Sequence, residues 1–554
     1  MVNRKPDWKL MLVALALLLI ASYPVVDFIS HIALFVIESD YCDFDDAYMF
    51  IRYADNLLAG HGVAWNPGEE PTYGATSLLY LFLVATARGF SMLPMGTLLS
   101  VVSSVVALAA VAVIVIAAAR SLERPTVIGG LALATLINSI LLFHPIYRYH
   151  AFSGMDTTLS ILMNGLLLWG VMELLRTPAR MLTFLVPLLA YGTFLTRPDN
   201  GLYALLFPSL AFVLLAPVDR RRIMLLRFWL VVGLLLVGDT LMKGWYFGSP
   251  LPLGHYAKKM GYYAGYVGYK AWNPINYLDV FLKLTGPFLL LLPLFAVRSR
   301  WRIIVVLLLP VILTFAYYFK VTQVMGHQAR YYMPALPFIV VAGTRMLEGY
   351  QEGAKFPAFT VRLAIVLFGL SSYEAVRSST NHWYSVNVLQ AQQLGQRIRI
   401  PKELTATQLP TMGIGRARRQ VAKIAADFPP GTVVAATEVG YLGALASHVK
   451  ILDLAGLNDR TIATRGFQPD YLFDVQQVDL IWMPHTDYTS MTAKILTDPR
   501  FQNGYIFIPG AFSYGLAIRR NSPQLEQIRQ ALQTHWSQDY KIPLSELMTS
   551  QASQ

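Results

Sequence analysis

The sequence predicts a polytopic α-helical membrane protein with about eleven spans and a small α/β domain at its C-terminal end. Three observations carry this. Hydrophobic residues make up 55% of the 554, charged residues only 14%, and the mean hydropathy is +0.46, too apolar for a soluble chain. The apolar residues fall in runs of roughly 15 to 25, long enough to cross hydrocarbon as helices. Beyond Tyr373 the composition becomes an ordinary soluble mixture with alternating patterns.

The candidate spans are Leu10–Ile37, Leu98–Ala119, Val127–Phe143, Thr158–Leu175, Met181–Leu195, Leu202–Ala216, Phe228–Met242, Leu284–Val297, Ile303–Phe319, Ala335–Leu347 and Phe356–Tyr373. With a cytoplasmic N-terminus, Arg120/Arg124, Arg176/Arg180, Arg220/Arg221/Arg222/Arg227, Arg298/Arg300/Arg302 and Arg345/Lys355/Arg362 all fall on the inner side, as the positive-inside rule requires. The outer loops, Glu38–Thr97, His144–Thr157, Arg197–Gly201, Lys243–Lys283 and Lys320–Pro334, are longer and chemically richer. Function is therefore expected on the outer, periplasmic-type face. Ser77–Met92, with Arg88 inside it, reads as an interfacial helix or a twelfth span.

The chain divides into a membrane domain, residues 1–379 with a first outer loop at 38–97, and a soluble domain, residues 380–554. In the latter the pattern predicts a helix over Gly415–Asp427, a strand over Thr432–Ala436, a helix over Tyr441–Ser447, and strands over Lys450–Leu454 and Leu480–Met483. Pro429, Pro430 and Gly431 punctuate the first strand. An odd span count places this domain outside, beside the rich loops.

Composition also excludes several classes. The single cysteine, Cys42, rules out an intramolecular disulfide framework and a CxxC metal site. The net charge of +12 sits mainly in short loops between spans, where it controls topology, so no nucleic acid is implied. Arg4, Lys5 and Lys9 precede a long apolar stretch with no small-residue cleavage site, which reads as a retained signal-anchor.

Carboxylates crowd the first outer loop: Asp43, Asp45, Asp46, Asp55, Glu69 and Glu70. Like charges beside lipid are costly unless they face a cation, a metal or a reaction. Asp45-Asp46 offers one carboxylate to a substrate hydroxyl and another to orient it, although helix capping explains the same pair. Trp65–Ser77 reads as a rigid turn with Thr76 as a cap, or as a segment bringing Glu69 or Glu70 over a donor or a metal. Asp156 starts a span, where capping and substrate contact compete as explanations. Three other outer loops bring cations suited to a phosphate: Arg197, then His255 with Lys258 and Lys259, then His327 with Arg330. Each alone is equally a snorkelling anchor; their common side favours a shared role.

Asp45-Asp-Ala-Tyr with Arg52-Tyr-Ala-Asp-Asn, Asn66-Pro-Gly-Glu, Gly154-Met-Asp-Thr157, Arg197-Pro-Asp199, Tyr246-Phe-Gly-Ser-Pro-Leu-Pro252 with Ala257-Lys258, and His327-Gln-Ala-Arg-Tyr331 together resemble the GT-C class of membrane glycosyltransferases. The order of motifs is most similar to the mycobacterial terminal arabinofuranosyltransferase family, and more distantly to protein O-mannosyltransferases and lipid A aminoarabinose transferases. Glu438-Val-Gly-Tyr-Leu-Gly443 and Ile451–Asp459 look like that family's periplasmic domain. The resemblance implies a polyprenyl-phosphate sugar donor, an acceptor that is a glycan, glycolipid or protein, and a bacterial inner-membrane location with the site facing the periplasm. It implies Asp45 as first choice for catalysis and Asp46 as second. Arg197, His255, Lys258, His327, Arg330 and Tyr331 would hold the donor phosphate, and Arg52, Glu69, Glu70, Asp156 and Asp199 would contact substrate. A relative would carry Glu at the Asp156 position. Metal use varies across the class, so a divalent cation stays open.

Glycosyl transfer is one reading of these residues. A transporter or flippase of lipid-linked sugars is another, and a receptor with an exterior binding domain a third. Transporters place ionisable groups near mid-bilayer, often in repeated halves. Here mid-span polar residues are few, Asn164 and Asp239 among them, and the charges collect at one face.

Overall fold

The computed structural model describes residues 8–42, 44–122, 126–259, 274–289, 301–320, 326–351 and 409–550. Among these, five helices are long and apolar enough to cross a membrane: Trp8–Glu38, Met95–Ser121, Thr157–Arg176, Val218–Phe247 and Trp301–Tyr318. Val127–Phe143 and Pro145–Phe152 form a sixth span, bent by 69°, if they are taken as one. The protein is thus a multi-pass membrane protein, but the expected count of eleven is not reached on length alone. The reasons are local. Leu202–Ala216 is a π-turn, Leu202–Leu206, running into a short helix, Phe207–Leu214, with Pro208 in its first turn. Arg180–Thr196 is apolar but only 17 residues long. The span expected at Leu284–Val297 overlaps the helix Pro274–Leu289, and its remainder, like Phe356–Tyr373 and the 379/380 boundary, lies outside the described residues.

The bundle packs on small side chains. The helix Met95–Ser121 buries Ser100, Ser103, Ala107 and Ala110, which lets backbones approach closely in lipid, where no hydrophobic force distinguishes helix from tail. Ser103 Oγ donates to Ala151 O at 2.6 Å, and Thr158 Oγ1 donates to Ser103 O at 3.0 Å, so these serines also tie neighbouring helices together.

Ser77 caps the 13-residue helix Leu78–Phe90 by accepting from Tyr80 N at 3.3 Å. The cap is therefore one residue beyond the expected Thr76. At about 1.5 Å per residue this helix is too short to cross the membrane. Arg88, paired with Asp55 at 3.0 Å, pins it to the amphipathic helix Ala47–Leu58.

The C-terminal domain is a five-stranded sheet of order β2-β1-β3-β5-β4. β1 (Val433–Ala436), β2 (Lys450–Asp453) and β3 (Leu480–Trp482) are parallel, as expected for strands alternating with helices. β4 (Tyr505–Ile508) and β5 (Leu516–Arg519) extend it antiparallel.

This domain does not stand apart from the loop 38–97. Tyr48, Phe50, Ile51, Trp65 and Tyr80 of the loop share one hydrophobic core with Val434, Val439, Leu442, Ile451 and Trp482. The edge strand β2 is covered by the loop as well. Asn66 accepts from Ile451 N at 2.9 Å and donates to Ile451 O at 3.2 Å, as a neighbouring strand would, and Trp65 Nε1 donates to the same carbonyl at 3.0 Å.

Candidate active site

One short helix organises the junction. Gly440–Leu445 begins at Asp45, whose Oδ2 accepts from Gly440 N at 2.9 Å and Oδ1 from Tyr441 N at 3.0 Å. It ends at Arg52. That side chain has five N–H donors and all are used: Nε on Trp65 O at 2.6 Å, Nη1 on Gly443 O at 2.6 Å and Ala446 O at 3.3 Å, Nη2 on Asn66 Oδ1 and Val449 O, both at 2.9 Å. An anion at the amino end and a cation at the carboxyl end match the partial charges of the exposed N–H and C=O groups. Burial pulls the Arg52 guanidinium down to about 10, which still leaves it charged near neutral pH. A Cβ on Gly440 would lie 1.9 Å from the Asp45 carbonyl oxygen, so only glycine permits this approach.

These contacts revise several expectations. Arg52, expected to contact substrate, has no donor left for one. Asp45 does cap a helix, but one in the other domain, and both of its oxygens are committed. Glu69 accepts from Asn66 at 2.9 Å and pairs with Lys450 at 2.7 Å; Glu70 is exposed and 3.8 Å from Arg460. Glu69 thus fastens the C-terminal domain, while the exposed Glu70 adds little.

Asp46 behaves differently. It occupies the position before the helix Ala47–Leu58, yet its side chain makes no capping bond. Within residues 43–70 of the loop, Asp45, Asp55, Glu69 and Glu70 all have charged or N–H partners, Asp43 lies outside the described residues, and Asp46 has no hydrogen-bond or ion-pair partner among the described residues. Burial raises it to about 6, with Asp45 and Glu438 adding to the rise and Arg330 and Arg418 opposing it. That places it where a base works near neutral pH.

Opposite stands a group of cations. Arg330 Nη2 pairs with Asp156 Oδ1 at 2.7 Å and its guanidinium lies 5.8 Å from the Phe44 ring; the His327 ring lies 6.3 Å from the same ring. Asp156, like Asp46, occupies a helix N-cap position without capping it, so its carboxylate serves Arg330. Arg197 makes a bidentate pair with Asp199 at 2.9 and 3.0 Å, and Tyr318 OH donates to Asp199 at 2.7 Å. Arg197 lies over the Tyr331 ring at 4.9 Å, and Lys258 Nζ donates to Tyr331 OH at 2.9 Å. Burial would raise the Tyr331 phenol, but Lys258, Arg197 and Arg330 together hold it below its ordinary value. Asp156 and Asp199 thus orient arginines. Lys258 has no carboxylate partner among the described residues. His255 lies beside Tyr256 on the helix Leu253–Lys259, their rings 5.7 Å apart. Gln328 and Ala329 hold φ of 52° and 63°, a left-handed conformation unusual for non-glycine residues. Strain of this kind collects at working loops, and His150 Nε2, 2.8 Å from Gln328 O, helps to fix it.

Among the described residues no three His, Cys, Asp or Glu side chains are grouped to hold a metal, and Asp45 is committed to N–H groups.

Residues that sequence reasoning passed over come from the C-terminal domain. Arg418 Nε donates to Glu438 Oε2 at 2.7 Å and lies 3.9 Å from Asp45 Oδ1. Glu438 was within reach, since it opens the Glu438–Gly443 motif. Arg418 sits in an ordinary basic helix and carries no such signal.

A domain of unknown function, DUF8728, matches residues 402–542. No curated protein matches the chain. Among solved structures, ArnT from Cupriavidus metallidurans in the apo state is similar at 13% identity over 89% of this chain and 97% of that one, with a TM-score of 0.48. The Archaeoglobus fulgidus oligosaccharyltransferase in the apo form is similar at 11% identity over 84% and 69%, with a TM-score of 0.47. The same enzyme tethered through a disulfide bond to an acceptor peptide containing the NVT sequon gives 10% over 86% and 69%, with a TM-score of 0.44.

Proposed function

We propose that this protein is a membrane glycosyltransferase of the GT-C type, moving a sugar from a polyprenyl-phosphate donor to an acceptor hydroxyl on the outer face of a bacterial inner membrane. The observation that carries the reading is the pairing of one uncommitted carboxylate, Asp46, with cations from three separate loops, Arg197, Lys258 and Arg330, around Tyr331. Asp46 takes the proton from the acceptor hydroxyl as its oxygen attacks the anomeric carbon. The bond from that carbon to the phosphate oxygen breaks, and its electron pair leaves with the phosphate. Lys258 and the oriented arginines stabilise that charge, which is where preorganised donors contribute most. Asp45 becomes a positioning residue that holds the C-terminal domain over Asp46. The resemblance puts arabinofuranose ahead of hexoses as the sugar. The arginines placed inside by the span order support the outer orientation.

Membranes carrying the protein, incubated with radiolabelled polyprenyl-phosphate arabinose and separately with the mannose donor, test this. Asp46→Asn should abolish release of label from the donor. An Asp46→Asn protein that retains a third of wild-type turnover would remove Asp46 from the chemistry.

A further inference from the structure

The C-terminal sheet has a topological switch point. From β1 the chain crosses to β2 on one side, and β3 then lies on the other side of β1. In open sheets with parallel strands, ligands bind in the crevice outside the carboxyl ends of the strands at such a point. Here Glu438 follows β1 and His485 follows β3, and the two loops are tied by His485 N donating to Thr437 Oγ1 at 2.9 Å. Tyr514 enters the same end ahead of antiparallel β5, where Met483 N donates to Gly515 O at 3.0 Å. The crevice faces the reaction centre, because the residues after Glu438 start the helix that Asp45 holds.

Polar atoms remain there without protein partners among the described residues. His485 Nδ1 lies 3.1 Å from Asp487 N and 3.3 Å from Asp487 Oδ2, while its Nε2 has no partner among the described residues and is placed to donate when it carries the proton. One oxygen of Glu438 is held by Arg418 and one of Asp487 lies 3.3 Å from His485 Nδ1; the second oxygen of each is uncommitted, as is the Tyr514 hydroxyl. The Tyr514 ring packs edge-on to His485 at 5.2 Å. Phe512 and Ser513, just before it, hold φ of 50° and 77°, a strain fixed by Tyr540 OH accepting from Phe512 N at 2.6 Å. A half-buried mixture of donors, acceptors and an aromatic ring suits hydroxyl groups, which both give and take hydrogen bonds. A peptide strand would need a free sheet edge, and the β2 edge on this side is covered by Asn66 and Trp65.

We infer that the crevice at the carboxyl ends of β1 and β3, lined by Glu438, His485, Asp487 and Tyr514, is the acceptor subsite and takes an uncharged carbohydrate chain through its hydroxyls. This rests on the glycosyl-transfer reading above. The C-terminal domain then supplies the acceptor to Asp46 while the membrane domain supplies the donor.

The test uses full-length protein in lipid nanodiscs, radiolabelled polyprenyl-phosphate arabinose, and a linear oligoarabinofuranoside or an oligomannoside as acceptor probe. Two rates are read, release of sugar to water and transfer to the oligosaccharide. His485→Ala and Asp487→Asn should raise the acceptor KM by about tenfold, the loss expected for one hydrogen bond to the acceptor, with release to water within about twofold of wild type. His485→Gln keeps a donor at similar reach and should recover most of the loss. Unchanged acceptor KM, an equal fall in both rates, a glutamine no better than alanine, or a wild type that releases sugar to water but transfers to neither oligosaccharide would each overturn the assignment. Donor turnover that survives Asp46→Asn would instead sink the reaction reading itself.

Discussion

Removing the Arg52 guanidinium should undock the C-terminal domain from the loop 38–97. In Arg52→Met the side-chain stem is kept and the five donors are lost. Three of the five acceptors keep another partner: Trp65 O accepts from Asn56 Nδ2 at 3.1 Å, Asn66 Oδ1 from Ile451 N at 2.9 Å, and Ala446 O from Val449 N at 3.1 Å. Gly443 O and Val449 O lose the bonds that Arg52 gives them, both at buried positions in the junction. Stranding a buried acceptor costs roughly 1–3 kcal/mol, so two cost about 4 kcal/mol. If cleavage requires opening of the junction, that energy raises the open population by about a thousandfold. Limited proteolysis of the full-length protein in detergent reads this as faster release of the C-terminal domain, with intact bands quantified over time. A variant cleaved within threefold of wild type would refute the view that Arg52 clasps the helix, and would return it to the list of substrate contacts.

Three further outcomes follow from the same geometry. Since Asp46 must be ionised to act and sits at about 6, kcat/KM should fall as pH drops through that value; Glu438→Gln removes a neighbouring negative charge and should move this limb to lower pH, while Arg330→Met should move it higher, both read from pH–rate profiles. Gly440→Ala places a Cβ 1.9 Å from the Asp45 carbonyl, so transfer should collapse and proteolysis accelerate together, whereas Gly443→Ala, with its nearest contact at 3.0 Å on the Arg52 stem, should be milder in both assays. Lys258→Met should raise the donor KM by about tenfold or more while leaving thermal stability within about 1 kcal/mol, since Lys258 holds no carboxylate; an unchanged donor KM would exclude it from the phosphate site.

Much of the fold was legible because periodicity reports burial directly. Val127–Phe143 is a helix with the expected ends, and the first three strands of the sheet fall within one residue of the sequence pattern. β4 and β5 were not foreseen: Tyr505–Ile508 is a short apolar run with every residue buried, which has no alternation to read. The π-turn at Leu202–Leu206 was read as part of a plain span because a π-turn leaves hydropathy unchanged. The cations were legible as residues on one predicted side, and the structure gathers Arg197, Lys258, Arg330 and Tyr331 as that placement suggested. What sequence could not assign was which acids are committed. Capping was weighed for Asp45 and Asp156 within their own segments, but Asp45 caps a helix 395 residues away and Asp156 serves an arginine 174 residues away. No local rule reaches such separations.

That distribution of partners bears on why a membrane protein would keep so many acids beside lipid. A carboxylate there is tolerated when its charge is answered, and the loop answers Asp45 with two N–H groups, Asp55 with Arg88 and Glu69 with Lys450. Each of those pairings fastens the loop to a neighbour, so these acids are explained by architecture. Asp46 gains no such bond and is raised by the burial that the other pairings impose on it. A fold that satisfies its acids elsewhere and leaves one half-buried, uncapped and facing Arg330 breaks its own rule at one point, and such breaks fall where sequence serves chemistry instead of stability. If Asp46 were merely structural, Asp46→Asn, which removes a charge that no described residue bonds, should leave the protein as stable as wild type or more so and fully active; loss of turnover with stability kept or gained is the pairing of results that the catalytic reading requires.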